Sequence, residues 1–238
     1  MEPGPRFEEI KIPLREPVHG LTEVTGILGT PEWWPTGSRI SVVLAHGGTG
    51  DLSDPLIESL HRQLTERKYL ALRFNFPFAE AGRKRADDLG VLVQTLRSAI
   101  AVLGRDPTAA PAHLFLGGKN LGAAVTAHLA ASSRVRVEGL FFLGFPLHPR
   151  GRPQKVRADD LFRVVCPMLF VQGSRDRSCD LDVLRRTLLR VGAPTQLHVV
   201  AEADHALHVP KRSGRTDEEV QAEVLSVVDA WIHATLGG

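Results

Sequence analysis

A chain of 238 residues, 43% hydrophobic and 24% charged, has the size of one larger α/β domain and can bury a substantial core. Its 29 basic and 27 acidic residues leave a formal charge of +2, too balanced for a surface built to hold nucleic acid or an anionic membrane. Two cysteines, Cys166 and Cys179, are too few for a disulfide scaffold and fit a reducing compartment. The start, MEPGPRFEEI, carries acids and prolines with no apolar run behind a basic patch, and no later stretch approaches a membrane span. The expectation is a cytoplasmic protein with one domain over residues 1–238, no metal and no cofactor.

In chain order, Phe7–Leu14 and Leu21–Leu28, around the break at Pro17–Gly20, read as an antiparallel pair at a sheet edge. The connection TPEWWPTGS follows, with Trp33 and Trp34 expected to cover that edge. Short apolar runs then alternate with helical patterns. The runs are Ile40–Ala45, Tyr69–Phe74, His113–Leu116, Gly139–Leu143, Met168–Val171 and Gln196–Val200. Between them, Leu56, Leu60 and Leu64, then Leu89, Leu92, Leu96 and Ile100, then Leu181, Leu184, Leu188 and Val191 recur at helical spacing. Asp54 before Pro55 is a cap and first helical residue, and Gly104 and Gly192 are expected left-handed terminators. Thr216 and Glu219 form a capping box for a last helix that buries Val220, Val224, Val227 and Trp231. This alternation predicts βαβ units in a mostly parallel sheet covered on both faces. No long insertion suggests a lid.

The informative segment runs from Leu114 to Ala124: an apolar strand, the turn Gly118-Lys119-Asn120-Leu121-Gly122, then a small-residue helix. That is the context of a Gly-x-Ser-x-Gly nucleophile elbow, with asparagine at its centre. The glycines are required where side chains would strike the adjacent strand and helix. The central residue is forced to positive φ, which asparagine tolerates better than most. After the elbow, the strand at Met168 leads to Asp176 and the strand at Gln196 leads to His205, in the order and at the strand ends where an acid and a base belong. His205 would address the elbow side chain with one ring nitrogen while Asp176 holds the other.

Leu44-Ala45-His46-Gly47-Gly48-Thr49-Gly50-Asp51 is a strand ending in a glycine-rich turn. It lacks the Gly-Lys-Ser/Thr ending of a phosphate loop and the GxGxxG of a dinucleotide site. Its expected role is to supply the Gly48 N–H to an oxyanion hole beside the Leu121 N–H; His46 is then structural. Lys119, Arg83, Lys84, Arg85, Arg150, Lys155, Lys211 and Arg212 are expected on loops around the same face, either as solvated rim charges or to favour a carboxylate- or phosphate-bearing substrate. Phe76, Phe78 and His148 are candidates for the pocket lining, so the site residues beyond Asn120, Asp176 and His205 are Gly48, Leu121, Lys119, Phe76 and His148.

The segments LAHGGTGD, LRFNFPFAEAGRKR, FLGGKNLG, FLGFPLHPRGRP, LFVQGSRD and ADHALHVPKRSGRT cover most of the chain. In them the sequence resembles the short, lidless bacterial α/β-hydrolases of the dienelactone-hydrolase-like group, in the branch that includes a testis-expressed human homologue. The resemblance implies an α/β-hydrolase fold, a small-molecule ester substrate, Asp176 as acid and His205 as base. Family members carry serine where this chain has Asn120, and commonly glycine-arginine where it has Ala123-Ala124.

A side-chain amide has no readily removable proton and is a poor nucleophile, so no acyl-enzyme is expected. Losing the serine of such a triad costs about 10⁶-fold in kcat, or roughly 8 kcal/mol of barrier. Three explanations stay open: an esterase-type hydrolase whose nucleophile was replaced to trap an ester, a relative that lost hydrolysis and kept its pocket for a ligand or protein, or a hydrolase in which His205 and Asp176 activate water directly.

Overall fold

The computed structural model describes residues 4–34, 36–105, 110–132 and 135–237. Pro35 of the expected Thr30–Ser38 connection and the first three residues of the N-terminal reading lie outside them. The elements run β1 (Arg6–Val18), β2 (Leu21–Thr30), β3 (Ile40–Ala45), α1 (Pro55–Glu66), β4 (Leu70–Phe74), α2 (Pro77–Glu80), α3 (Leu89–Leu103), β5 (His113–Lys119), α4 (Leu121–Ser132), β6 (Gly139–Leu143), β7 (Met168–Gly173), α5 (Leu181–Leu188), β8 (Thr195–Val200) and α6 (Asp217–Thr235). The strands form one sheet in the order β1-β2-β4-β3-β5-β6-β7-β8. β1 pairs antiparallel with β2, and β2 antiparallel with β4, which is the expected edge pair. The β3/β4, β6/β7 and β7/β8 pairs are parallel. No described helix is long and apolar enough to cross a membrane.

The chain divides into two compact units, residues 1–116 and 117–238, with the division inside β5. In the first, every residue of β3 and β4 is buried, the pattern of strands covered on both faces. The β1–β2 hairpin turns through His19 and Gly20, both at positive φ. Asp54 caps α1 by accepting from the Leu56 and Ile57 N–H groups at 3.1 and 3.3 Å, and Pro55 sits where the missing N–H costs nothing. α1 buries Leu56, Ile57, Leu60 and Leu64. Trp33, expected to cover the sheet edge, is 71% exposed at φ +63 in a turn.

In the second unit, α6 opens on the expected capping box. Glu219 N–H donates to Thr216 Oγ1 at 3.2 Å, and Thr216 N–H donates to Glu219 Oε2 at 2.9 Å. Its buried stripe is Val220, Val224, Leu225, Val228, Trp231 and Ile232. Val228 replaces the expected Val227 because the inward face steps by four residues along this stretch. The two glycine terminators are corrected as well. Gly104 closes α3 at φ −96, an ordinary right-handed conformation. α5 ends at Leu188, and Arg190 and Val191 bond back to Thr187 and Leu188 as turns, so Gly192 lies past the cap.

His61 on α1 is wholly buried, its Nε2–H donating to the Ala71 carbonyl at 3.2 Å. Burial, reinforced by the Arg73 charge, pushes its pKa down from 6.5 to about 4. The unfolded chain therefore binds a proton at this site before the folded chain does, so the stability it contributes is present above about pH 6.5 and is lost as pH falls toward 4. Denaturation midpoints should drop across that window, and His61→Gln should flatten the drop by up to about 3 kcal/mol. Parallel pH profiles for the two proteins would contradict this assignment.

Candidate active site

β5 ends at Lys119, α4 starts at Leu121, and the single residue between them, Asn120, takes φ +50. The turn is tight because its backbone strands nearly touch. A Cβ added at Gly118 would overlap the backbone of Gly122 and Ala123, so glycine is required there. Asn120 N–H donates to the Leu143 carbonyl at the end of β6 at 3.0 Å, and its own carbonyl accepts from Ala123 N–H at 3.1 Å as α4 begins. Its side-chain amide faces main chain, and the amide orientation assigned from the surrounding donors and acceptors has Nδ2 donating to the Gly144 carbonyl at 3.0 Å and to the His205 carbonyl at 2.8 Å.

Asp176, the expected acid, stands three residues beyond β7. The Asp176 side chain is fully buried and is surrounded by donors. His205 Nδ1–H reaches Oδ2 at 2.7 Å, Ser178 N–H reaches Oδ1 at 2.6 Å, and Gln172 Nε2 also donates to Oδ2. Gln172 is itself held, because its Oε1 accepts from Phe145 N–H at 2.9 Å. Sequence reasoning missed Gln172. Its signal was a lone polar residue inside the apolar run Met168–Gly173, and a buried polar side chain must find partners.

The loop that carries His205 is shaped by its neighbour. Asp204 Oδ1 accepts from Ala206 N–H at 2.8 Å and His208 N–H at 3.1 Å, and Asp204 N–H donates to the His208 carbonyl at 3.0 Å. The acid-bearing and base-bearing loops are tied by Arg175 N–H to the Ala203 carbonyl at 2.8 Å and Ser174 N–H to the Val200 carbonyl at 3.0 Å. They approach so closely that a Cβ at Gly173 would overlap the Ala203 and Asp204 carbonyls. The structure thus brings Asn120, Asp176 and His205 together in the second unit. The His205 ring pairs with the acid and stays 31% exposed, while the elbow side chain meets the His205 main chain.

The other expected site residues fall differently. Lys119, expected on a rim loop, is the last residue of β5 and only 4% exposed, because the strand continues through Gly117 and Gly118 into the elbow. His148, a candidate for the lining, is 4% exposed with both ring nitrogens engaged. Nδ1–H donates to the Pro149 carbonyl at 3.0 Å, and Nε2 accepts from Asp180 N–H at 2.8 Å, which makes it a brace between its own loop and the α5 cap. Arg150, Lys155, Lys211 and Arg212 are exposed.

In the first unit, Phe76 is wholly buried in an aromatic cluster with Phe74, Phe78 and His46, its centroid 5.0 Å from the His46 ring. It is a packing residue, whereas Phe78, 2% exposed, both packs in the cluster and lines the cavity beside the Gly48 turn. His46 is structural as expected. Nδ1–H donates to the Gly47 carbonyl at 2.7 Å and Nε2 accepts from Phe76 N–H at 3.1 Å, with burial lowering its pKa. The turn it braces borders a cavity of about 390 Å³ lined by Gly48, Thr49, Asp51, Phe78, Arg83 and Lys84, among others. Leu121 is the first residue of α4, where helical N–H groups have no partner within the helix.

A mostly parallel sheet, a strand-turn-helix elbow and an ordered acid and base behind it define an α/β-hydrolase scaffold. The chain belongs to the alpha/beta hydrolase domain family, whose profile matches residues 38–233. Its fold is that of a dienelactone hydrolase from Anabaena variabilis, with a TM-score of 0.72 at 18% identity over 97% of this chain and 98% of that one. A lidless α/β serine hydrolase from Xanthomonas campestris is also similar, with a TM-score of 0.70 at 20% identity over 94% and 95% of the two chains. So is Est1E from Butyrivibrio proteoclasticus, known with ferulic acid bound, with a TM-score of 0.73 at 13% identity over 97% and 99%. Two Mycobacterium tuberculosis proteins named "Putative phosphoribosyl transferase" are 29% identical over 211 residues. These residues are 88% of this chain and 44% of each relative, so the chain spans less than half their length.

Because Gly173 admits no Cβ beside the Ala203 and Asp204 carbonyls, Gly173→Ala should separate the acid and base loops. Its expected cost is about 3 kcal/mol or more in denaturant unfolding. A variant as stable as the parent chain would show that the loops can separate freely.

Proposed function

We propose that this protein is a carboxylic-ester-hydrolase scaffold in which Asn120 replaces the nucleophile, so that acyl transfer is lost or strongly impaired while the acid and base persist. The observation that carries this reading is the buried Asp176 carboxylate bonded at 2.7 Å to His205 Nδ1. That bond fixes the tautomer and orientation a general base needs, and it sits beside an elbow whose side chain cannot be deprotonated. Family membership and the likeness to hydrolases support the scaffold. The Leu121 N–H is assigned to the oxyanion hole from its place directly after the elbow. The substrate class is a small ester, with Arg83 and Lys84, exposed beside the Gly48 turn, favouring one that carries a carboxylate or phosphate.

A second reading, ligand binding without turnover, draws support from the Asn120 amide, whose donors are committed to the Gly144 and His205 carbonyls.

Hydrolysis of a short p-nitrophenyl ester by the parent chain and by Asn120→Ser, each with and without His205→Ala, separates these readings. Serine is expected to raise turnover by several orders of magnitude, with His205→Ala abolishing the gain. Two folded but inert proteins would move binding ahead of hydrolysis. Turnover by the asparagine form that depends on His205 would instead point to water activated by the base.

A further inference from the structure

We infer that Asn120 is a structural lock: its side-chain amide joins the elbow, the turn after β6 and the main chain of the His205 loop, so the elbow residue is the post that positions that loop. This inference stands on geometry alone and does not rest on the ester reading.

Three segments converge at one amide. Nδ2 carries two hydrogens and donates to two carbonyls, Gly144 at 3.0 Å and His205 at 2.8 Å, which uses its full donor capacity. Gly144 is at φ +70, and its N–H is fixed by the Val171 carbonyl at 2.9 Å. A Cβ there would overlap the His205 carbonyl and lie 2.7 Å from the Asn120 amide. The three segments are therefore packed to the limit of main-chain contact, and each carbonyl finds its donor in the elbow side chain.

Chemistry explains why asparagine suits this place. A serine hydroxyl has one hydrogen to donate and is shorter, so it cannot serve both carbonyls. Aspartate has the right shape and, ionised, has no hydrogen at all; it would set a carboxylate against two carbonyl oxygens. Leucine or alanine would leave both carbonyls without their partner, a loss paid mainly in desolvation. Asparagine also accepts the positive φ of +50 that the turn imposes. The same residue satisfies the backbone strain and the two acceptors, and in doing so gives up the chemistry of the elbow.

Catalytic serine and a fully tethered base loop are therefore mutually exclusive at residue 120. Asn120→Ser would reinstate the hydroxyl and loosen the loop that carries its base, so the two properties should move in opposite directions in that one variant.

The test uses the intact chain at neutral pH. Melting temperature and hydrogen exchange, resolved to residues 203–209, are measured for the parent, Asn120→Asp, Asn120→Ala and Asn120→Ser. Asn120→Asp is expected to lower the melting temperature by roughly 5 °C or more, because it keeps the shape and removes the donors. Amide protection across residues 203–209 is expected to fall about tenfold or more in Asn120→Ala and Asn120→Ser, which keep the loop uncharged and serve as readouts should the aspartate variant not fold. A space-filling role predicts instead that Asn120→Asp melts with the parent. An aspartate variant as stable as the parent, or unchanged protection at 203–209 in the alanine and serine variants, overturns the lock. Ester turnover takes no part in these readouts, so failure here and failure of the hydrolase reading are separately visible.

Discussion

A carboxylate withdrawn from water must be met by donors, and the Asp176 side chain, fully buried, is met among the described residues by three: the His205 ring, the Ser178 main chain and the Gln172 amide. Leaving such a charge uncompensated would cost several kcal/mol. Each donor comes from a different piece of chain, so satisfying the charge fixes those pieces together. Gln172 must lie at the end of β7 and be held by Phe145; Ser178 must turn back within two residues; and the loop after β8 must bring His205 within 2.7 Å. The glycine at 173 is the steric counterpart of this demand, since only without a Cβ can the two loops close on the acid. The electrostatics and the sterics of the region make the same request.

The sequence exposed those features that depend on local repetition or on a residue's own backbone preferences. β3 and β6 begin and end where their apolar runs do, because buried strands need continuous apolar side chains. Asp54-Pro55 and Thr216…Glu219 announced their helices because capping is a contact within four residues. The loop positions of Asn120, Asp176 and His205 were legible because each follows a recognisable strand. What was missed depends on distant partners. Gly104 and Gly192 look like terminators locally, yet α3 closes without positive φ and α5 stops four residues short of Gly192. Lys119 reads as a loop charge until β5 is seen to carry it inside. Phe76 and His148 stand near chemistry in the sequence, but aromatic packing and two backbone partners respectively occupy them.

Two kinds of constraint meet at residue 120. The turn asks for a side chain that tolerates φ +50, and the carbonyls of Gly144 and His205 ask for two donor hydrogens. Sequence reasoning can supply the first, since asparagine is among the few residues at ease in the left-handed region. It cannot supply the second, because neither carbonyl is a local neighbour. In three dimensions the Asn120 side chain serves the turn and the two carbonyls at once.

Asp176 and His205 have structural roles apart from any chemistry at residue 120. Asp176 organises the turn at Ser178 and the Gln172–Phe145 link, and the His205 segment contributes a main-chain carbonyl to Asn120 while its ring satisfies the buried acid. Removing either member would strand a polar group in the interior, at a cost of about 1–3 kcal/mol for a neutral group and more for a charge. Family membership fixes the fold around them, and the chemistry has to be argued from the groups themselves.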